Sequence, residues 1–271
     1  MRINHNVPSL DAVTRLSQTN LQMEKSLAKL SSGLKIVRAS DDAAGLAVSE
    51  KLRAQINAID QASYNAQDGI SVLQTAEGAL NVVHNILQRL NTLAMRAANT
   101  AVLADGDIAL IQEEADQLVA ELDRIAPTIT FNTKVLLDGS YTGQVLQVGP
   151  GATTNDQITI SITGVDSATL GVDSLDLATA AQGALTAIQT AINTVSENRA
   201  TIGAVMNRLE KTIENLDVQK VNMTASESRI RDVDMAAEIA NYTRLQILQQ
   251  SGIAMLAQAN AAPQAIVNLL R

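Results

Sequence analysis

The stretch Leu185–Leu216, LTAIQTAINTVSENRATIGAVMNRLEKTIENL, decides the fold. Its apolar residues are Leu185, Ile188, Ile192, Val195, Ile202, Met206, Leu209, Ile213 and Leu216, spaced alternately by three and four, with Arg199 as the polar member. A repeat averaging about 3.5 residues places such side chains on one slowly supercoiling seam of an α-helix. A half-buried strand would instead alternate at every second residue. The spacing recurs in Val13, Leu16, Met23, Leu27, Leu30 and Leu34, where Asn20 fills the missing position. It recurs again in Leu73, Ala76, Leu80, Val83, Leu87, Leu90, Ala94 and Ala97, and in Ile108, Ile111, Ala115, Leu118, Leu122 and Ile125. These runs predict a mainly α protein, an elongated helical bundle or coiled coil built from N- and C-terminal helices.

The breakers agree. The prolines are Pro8, Pro127, Pro150 and Pro263, so residues 9–126 and 151–262 contain none, as long helices require. Six of the fourteen glycines fall from Gly139 to Gly171, which marks one irregular region. Within it, Gln144–Val148 and Gln157–Thr163 alternate apolar with polar residues around GPGATTND, the pattern of a β-hairpin with a longer loop. A small hairpin region at about 128–176 is therefore expected between the helices.

With 46% apolar residues among 271, the chain can bury a core, yet aromatics are 1%: Tyr64, Phe131, Tyr141 and Tyr242. A core of Ala, Leu, Ile and Val suits thin layers of closely approaching helices. The net charge of −8 argues against a general nucleic-acid binder. Residues 1–60 carry eight Lys/Arg against six Asp/Glu and residues 229–271 four against three, whereas the middle carries eight against nineteen. Near-neutral ends that pack together and an acidic centre that faces solvent are the expected arrangement. The opening MRINHNVPSL lacks the apolar run of a cleaved secretory signal, and the uncharged tail Leu245–Leu270 is too rich in Gln and Asn to insert in a membrane. The C-terminal stretch from Ala236 mixes Ala with Ile239, Leu245, Leu248, Ile253 and Leu256, a surface too broad for one partner helix, so neighbouring copies are expected to cover it. A central helix of a monomeric bundle is the alternative.

No motif offers catalysis or a cofactor. The absence of cysteine removes disulfides and thiolate chemistry. Ser40, Asp41 and Asp42 precede a predicted helix and read as capping groups, with Arg38 as a partner for one of the carboxylates or for a neighbouring subunit. ADGDIALIQEE, Ala104–Glu114, would need acidic ligands where a calcium loop aligned on Gly106 finds Ala101, Leu103 and Gln112, so it reads as a turn between helices. GPGATT leads into a strand and lacks the third glycine of a dinucleotide fingerprint. His5 and His84 stand in no metal or hydrolase pattern, and His84 reads as a packed or solvated helix residue.

LSSGLKIVRASDDAAGLAVSEKLRAQI, Leu30–Ile56, closely resembles the N-terminal region of bacterial flagellins, and the opening MRINHNVPSL is similar to their usual start, with His5 and Pro8 at variable positions. Asn198–Leu216 and Ala225–Arg271 are similar to the family's C-terminal region, and FNTKVLLDG and LQVGPGATTNDQITISI to its central segment, with Thr133 where many members have Gly. The resemblance spans essentially the whole chain. With only about fifty residues between Pro127 and Leu177, it implies a minimal member without outer variable domains.

The resemblance implies a structural subunit, not an enzyme, which polymerises with itself into an extracellular, motility-driving filament after type III export. It implies residues 1–40 and 236–271 as the two halves of an inner-core coiled coil, with 41–235 as a rod-like bundle. Inner-core contacts would fall on Leu16, Met23, Leu27, Leu30, Ile239, Leu245, Leu248, Ile253 and Leu256. An export chaperone, cap proteins and junction proteins are implied partners. A patch of Gln88, Arg89, Leu93 and Glu114 matches the family's contact for a Toll-like innate immune receptor and for stacked subunits, whereas Asn91 and Thr92 depart from its usual Arg–Glu pair. A hook–filament junction protein and a monomeric helical binding module are the alternative readings.

Overall fold

The computed structural model describes residues 6–269, with side chains described for residues 6–261. The elements are α1 (Val7–Ser32), α2 (Ala43–Ala97), α3 (Asp105–Thr128), β1 (Thr130–Phe131), β2 (Lys134–Val135), β3 (Gln144–Gln147), β4 (Gln157–Ile160), α4 (Ser167–Leu170), α5 (Ala181–Arg231) and α6 (Met235–Leu269). The fold is mainly α with a small β region, as the spacing predicts. Two compact units result: residues up to 56 with those from 221 on, and residues 57–220.

The 57–220 unit holds the large core. Leu73, Ala76, Leu80, Val83, Leu87, Leu90, Ala94 and Ala97 of α2 are all fully buried, so the predicted seam is the real one there. On α3, Ile108, Ile111, Ala115, Leu122 and Ile125 join the same core. Asp105 opens α3, so Ala104–Glu114 is its first turns and the link between helices is residues 98–104, slightly earlier than expected.

On α5 the seam is rotated by one residue. Ile188, Val195, Ile202, Leu209 and Leu216 are buried as expected, but their partners are Ala184, Ala191 and Asn198. Leu185, Ile192, Met206 and Ile213 flank the core, half-buried, and Arg199 turns out to reach Glu77 at 3.6 Å. Small residues face inward because they let helices approach closely, while the larger ones cover the sides.

The β elements hang from this core by polar clamps. β3 and β4 pair antiparallel from Gln144–Ile160 to Gln147–Gln157. Leu146 packs on Gly69, where a Cβ would meet Leu146 Cδ2 at 2.4 Å, and Asn65 Nδ2 donates to the Gln147 carbonyl at 3.0 Å. The β1–β2 turn, which hydrophobic patterning does not reveal, runs through Asn132 and Thr133 at φ 44° and 68°. Gln112 fixes the approach to α5 by donating to Leu175 O and accepting from Leu177 N–H, both at 2.7 Å.

Candidate self-assembly surface

The other unit is built on the antiparallel pair α1–α6. Pro8 sits in the first turn of α1, where it removes no helical hydrogen bond, and Asn6 Oδ1 accepts from Ser9 N–H at 3.3 Å. Gly33 ends the helix in the left-handed conformation at φ 71°. The links after α1 and before α6 then pair as extended backbone: Lys35 N–H donates to Arg231 O at 2.6 Å and Val233 N–H to Gly33 O at 3.0 Å. Arg231 also grips Glu50 at 2.5 Å, and this hydrogen bond, ahead of the Coulomb attraction of the same guanidinium, holds the Glu50 carboxyl below its ordinary range.

Of the predicted caps, Asp42 sits at the start of α2 and accepts from Gly45 N–H at 2.9 Å. Asp41 turns back instead and accepts from Arg38 N–H at 3.0 Å and Val37 N–H at 3.3 Å, which lowers its pKa, the Arg38 bond first. Arg38 thus supplies its backbone rather than its guanidinium. Ser40 is exposed and caps nothing among the described residues. A capping aspartate that sequence reading passed over is Asp234, whose Oδ1 accepts from Ala236 and Ala237 N–H at 3.0 and 3.1 Å to start α6. Its signal was present in DVDMAAE, an Asp immediately ahead of an Ala-rich run.

The contact between α1 and α6 is half polar. Ser9 Oγ donates to Asn260 Oδ1 at 2.7 Å, Gln249 Nε2 to Asn20 Oδ1 at 2.9 Å, and buried Ser26 Oγ to Glu238 Oε1 at 2.5 Å. The inward stripe of α1 is Ser9, Ala12, Leu16, Thr19, Met23, Ser26 and Leu30, again rotated by one from the predicted seam. Of the nine expected inner-core residues, Leu16, Met23, Leu30 and Leu256 are half-buried against the partner helix and Leu245 is 6% exposed. Leu27, Ile239, Leu248 and Ile253 are about half exposed, at 53%, 51%, 51% and 53%, and lie on the flanks of the pair. The rotation explains this: once the Ser9–Leu30 stripe faces α6, Leu27 lies outside it.

What distinguishes this unit is its uncovered apolar surface. Val7, Leu10, Val13, Leu21 and Leu27 of α1 are exposed, as are Met235, Ile239, Ile247, Leu248, Ile253 and Met255 of α6. Leu245 is the single buried large apolar side chain of the two helices among the described residues. Fully burying one such side chain is worth about 1.5–3 kcal/mol, so a neighbour covering half of this surface offers on the order of 10 kcal/mol per copy. That margin is large enough to offset association costs of about 4–15 kcal/mol once several neighbours contribute.

The second predicted patch lies in the 57–220 unit. Arg89 reaches from α2 to Glu114 of α3, 2.6 Å from Nη2 to Oε1, with Nε at 2.8 Å from the same oxygen. Gln88 Nε2 lies 2.9 Å from His84 Nε2, and Thr92 donates to Arg89 O at 2.7 Å. Leu93 does not belong to this surface. It is 2% exposed and packed in the core, because it lies one turn from Leu90 and Ala97 on the buried face of α2. His84 is half-buried, with Nδ1 unpartnered among the described residues, and His5 lies outside them.

Among the described residues no cluster of three metal-ligating side chains occurs, and no helix is long and apolar enough to cross a membrane. Residues 3–142 match the bacterial flagellin N-terminal helical region, and residues 185–270 the bacterial flagellin C-terminal helical region. The chain is 50% identical to a flagellin of Halalkalibacterium halodurans and 45% identical to a flagellin of Bacillus subtilis, in each case over the full length of both proteins. It is 44% identical, again over both full lengths, to a flagellar filament 33 kDa core protein of Treponema phagedenis.

Proposed function

Because the chain belongs to the bacterial flagellin family, we propose that the uncovered apolar surface of α1 and α6 is what its copies bury in one another when they polymerise. The protein is a structural subunit of the bacterial flagellar filament, which is extracellular. The observation that carries the assembly surface is the contrast between the two units: residues 57–220 bury a large apolar core and leave Tyr64, Val82, Met95, Val102, Leu110, Val145 and Val218 exposed, whereas α1 and α6 bury Leu245 alone of their large apolar side chains among the described residues. Residues 1–40 and 236–271 make up the inner-core part and residues 41–235 the rod-like part. Helices held by a half-polar contact gain their full stability only when a neighbour covers them, which couples their folding to assembly. Weakly held ends also suit passage through a type III export channel, with a chaperone covering the same apolar residues beforehand and cap and junction proteins meeting them at the filament's ends.

Electron microscopy after ammonium sulfate addition tests this reading. The full chain forms long filaments, and a chain ending before Ala236 stays soluble. A full-length chain that remains monodisperse in all conditions overturns it and brings forward a binding module.

Gln88, Arg89 and Glu114, without Leu93, form the exposed polar surface proposed for contact with stacked subunits and with a Toll-like innate immune receptor. Here Asn91 and Thr92 supply no charge, so orientation of the receptor falls to the Arg89–Glu114 pair. Unchanged receptor activation by an Arg89→Ala filament protein would remove that assignment.

A further inference from the structure

The apolar surface of the α1–α6 pair is divided into two unlike flanks. On one side the helices enclose an open groove of about 630 Å³, with Leu248 and Met255 on one wall and Ala12 and Arg15 on the other. Gly252 lies on the floor, where a Cβ would meet Leu16 Cδ1 at 3.3 Å. The charges at the rim, Arg15 and Asp11, neutralise each other at 3.0 Å, so the groove presents no net charge. On the other side are Ile239 and Ile253 of α6, about 140–180° around the helix from Leu248. Val13 and Leu27 of α1 share that side, since the antiparallel pairing brings α1 residues near 13 and 27 alongside α6 residues near 253 and 239. All four are at least half exposed. Both isoleucines and both α1 residues are spaced by two heptads, so they form a ridge of apolar knobs.

We infer that one copy's ridge, centred on Ile239 and Ile253, seats in the Leu248–Met255 groove of a second copy. This rests on the assembly reading above and specifies its geometry. A groove without net charge offers a charged peptide no surplus of opposite charge, whereas the apolar side chains of the ridge of the same chain match its Leu248, Met255 and Ala12. Because groove and ridge lie on opposite flanks of one pair, the contact is heterologous: each bound copy leaves a free groove and a free ridge. Such a contact propagates instead of closing into a dimer.

The chain contains no cysteine, so an introduced thiol is unique. Subunits carrying Met255→Cys and subunits carrying Ile253→Cys are polymerised separately and as an equal mixture, then treated with a short bis-maleimide. A covalent dimer is expected in the mixed filament and in neither single-variant filament. Dimers in a single-variant filament, or none in the mixture, overturn the groove-and-ridge contact while leaving filament formation intact. Wild-type subunits that never polymerise remove the assembly reading itself. Full-chain Met255→Glu and Ile253→Glu provide a second readout that does not depend on linker length. Each variant alone stays monomeric, and the equal mixture stops at a one-to-one dimer by sedimentation, since each partner retains one competent flank. Self-association of either variant at the wild-type level overturns the inference.

Discussion

Gly252 of α6 lets Leu16 of α1 reach its backbone: a Cβ on residue 252 would sit 3.3 Å from Leu16 Cδ1. It is a close approach in a contact that also contains the polar pairs Ser9–Asn260, Asn20–Gln249 and Ser26–Glu238. Alanine requires Leu16 to give by a few tenths of an ångström and recovers about 1 kcal/mol of helix propensity, so Gly252→Ala is expected to assemble like wild type or better. Gly252→Leu presses further on Leu16 and fills the floor of the groove. Overpacking of about 1–3 kcal/mol raises the concentration needed for assembly roughly ten- to hundredfold, which pelleting of filaments at a series of concentrations measures.

Asn198 contributes differently, inside the 57–220 unit. Its Nδ2 donates to Thr163 O at 2.9 Å and its Oδ1 accepts from Thr163 N–H at 3.3 Å, so one amide satisfies both backbone groups of a residue beyond the hairpin. Asn198 is 7% exposed, and water does not readily replace it. Asn198→Ala leaves that backbone unpaired at a cost of about 2 kcal/mol. The urea midpoint of the 57–220 unit falls accordingly, with the slope of the transition unchanged. Asn198→Asp keeps the acceptor but loses the donor, and is expected to recover less than half of the difference.

Asn198 also explains what was legible in the sequence. A three–four repeat identifies helices because no other element has that period, and α1, α2, α3 and α5 all follow it. It leaves a choice between two seams that share every seventh residue. On α5 these shared residues are Ile188, Val195, Ile202 and Leu209, and either Leu185–Ile192–Arg199 or Ala184–Ala191–Asn198 completes the stripe. Choosing the larger apolar set reads the hydrophobic effect alone. Close packing selected the smaller set, with Asn198 tolerated because it finds two backbone partners. On α1 the same one-residue rotation moved Leu27 from the pair to the surface. Leu93 erred in the opposite direction: the resemblance assigns it to a surface, although it lies beside Ala94 and one turn from Leu90 and Ala97, on the face of α2 that the spacing buries. The polar clamps of Gln112 and Asn65 have no sequence signature, since their partners are backbone atoms 63 and 82 residues away.

The β1–β2 turn stores removable strain. Asn132 tolerates its positive φ of 44°, but Thr133 at φ 68° is β-branched, and that conformation costs such a residue about 1–2 kcal/mol. Glycine adopts it freely, although its greater freedom in the unfolded chain returns part of the gain. Thr133→Gly is therefore expected to stabilise the 57–220 unit by about 1 kcal/mol, read as a rise in its thermal midpoint, with no change in filament formation. Thr133→Val keeps the branching and gives no rise.

The Arg231–Glu50 pair gives the unit containing α1 and α6 a pH dependence of known sign. The hydrogen bond from Arg231 holds the Glu50 pKa below its ordinary value of 4.5. In the unfolded chain that bond is gone and the carboxyl titrates at its ordinary value. A group with a depressed folded pKa stabilises fully above the unfolded value and loses that contribution as pH falls through the folded value. Glu50→Gln keeps an acceptor for Arg231 but cannot ionise. The stability difference between wild type and Glu50→Gln should therefore be constant above pH 4.5 and shrink steadily below it. Circular dichroism of monomeric subunits over that range measures it. A difference that grows on acidification instead would mean that Arg231 does not hold Glu50 in the charged form.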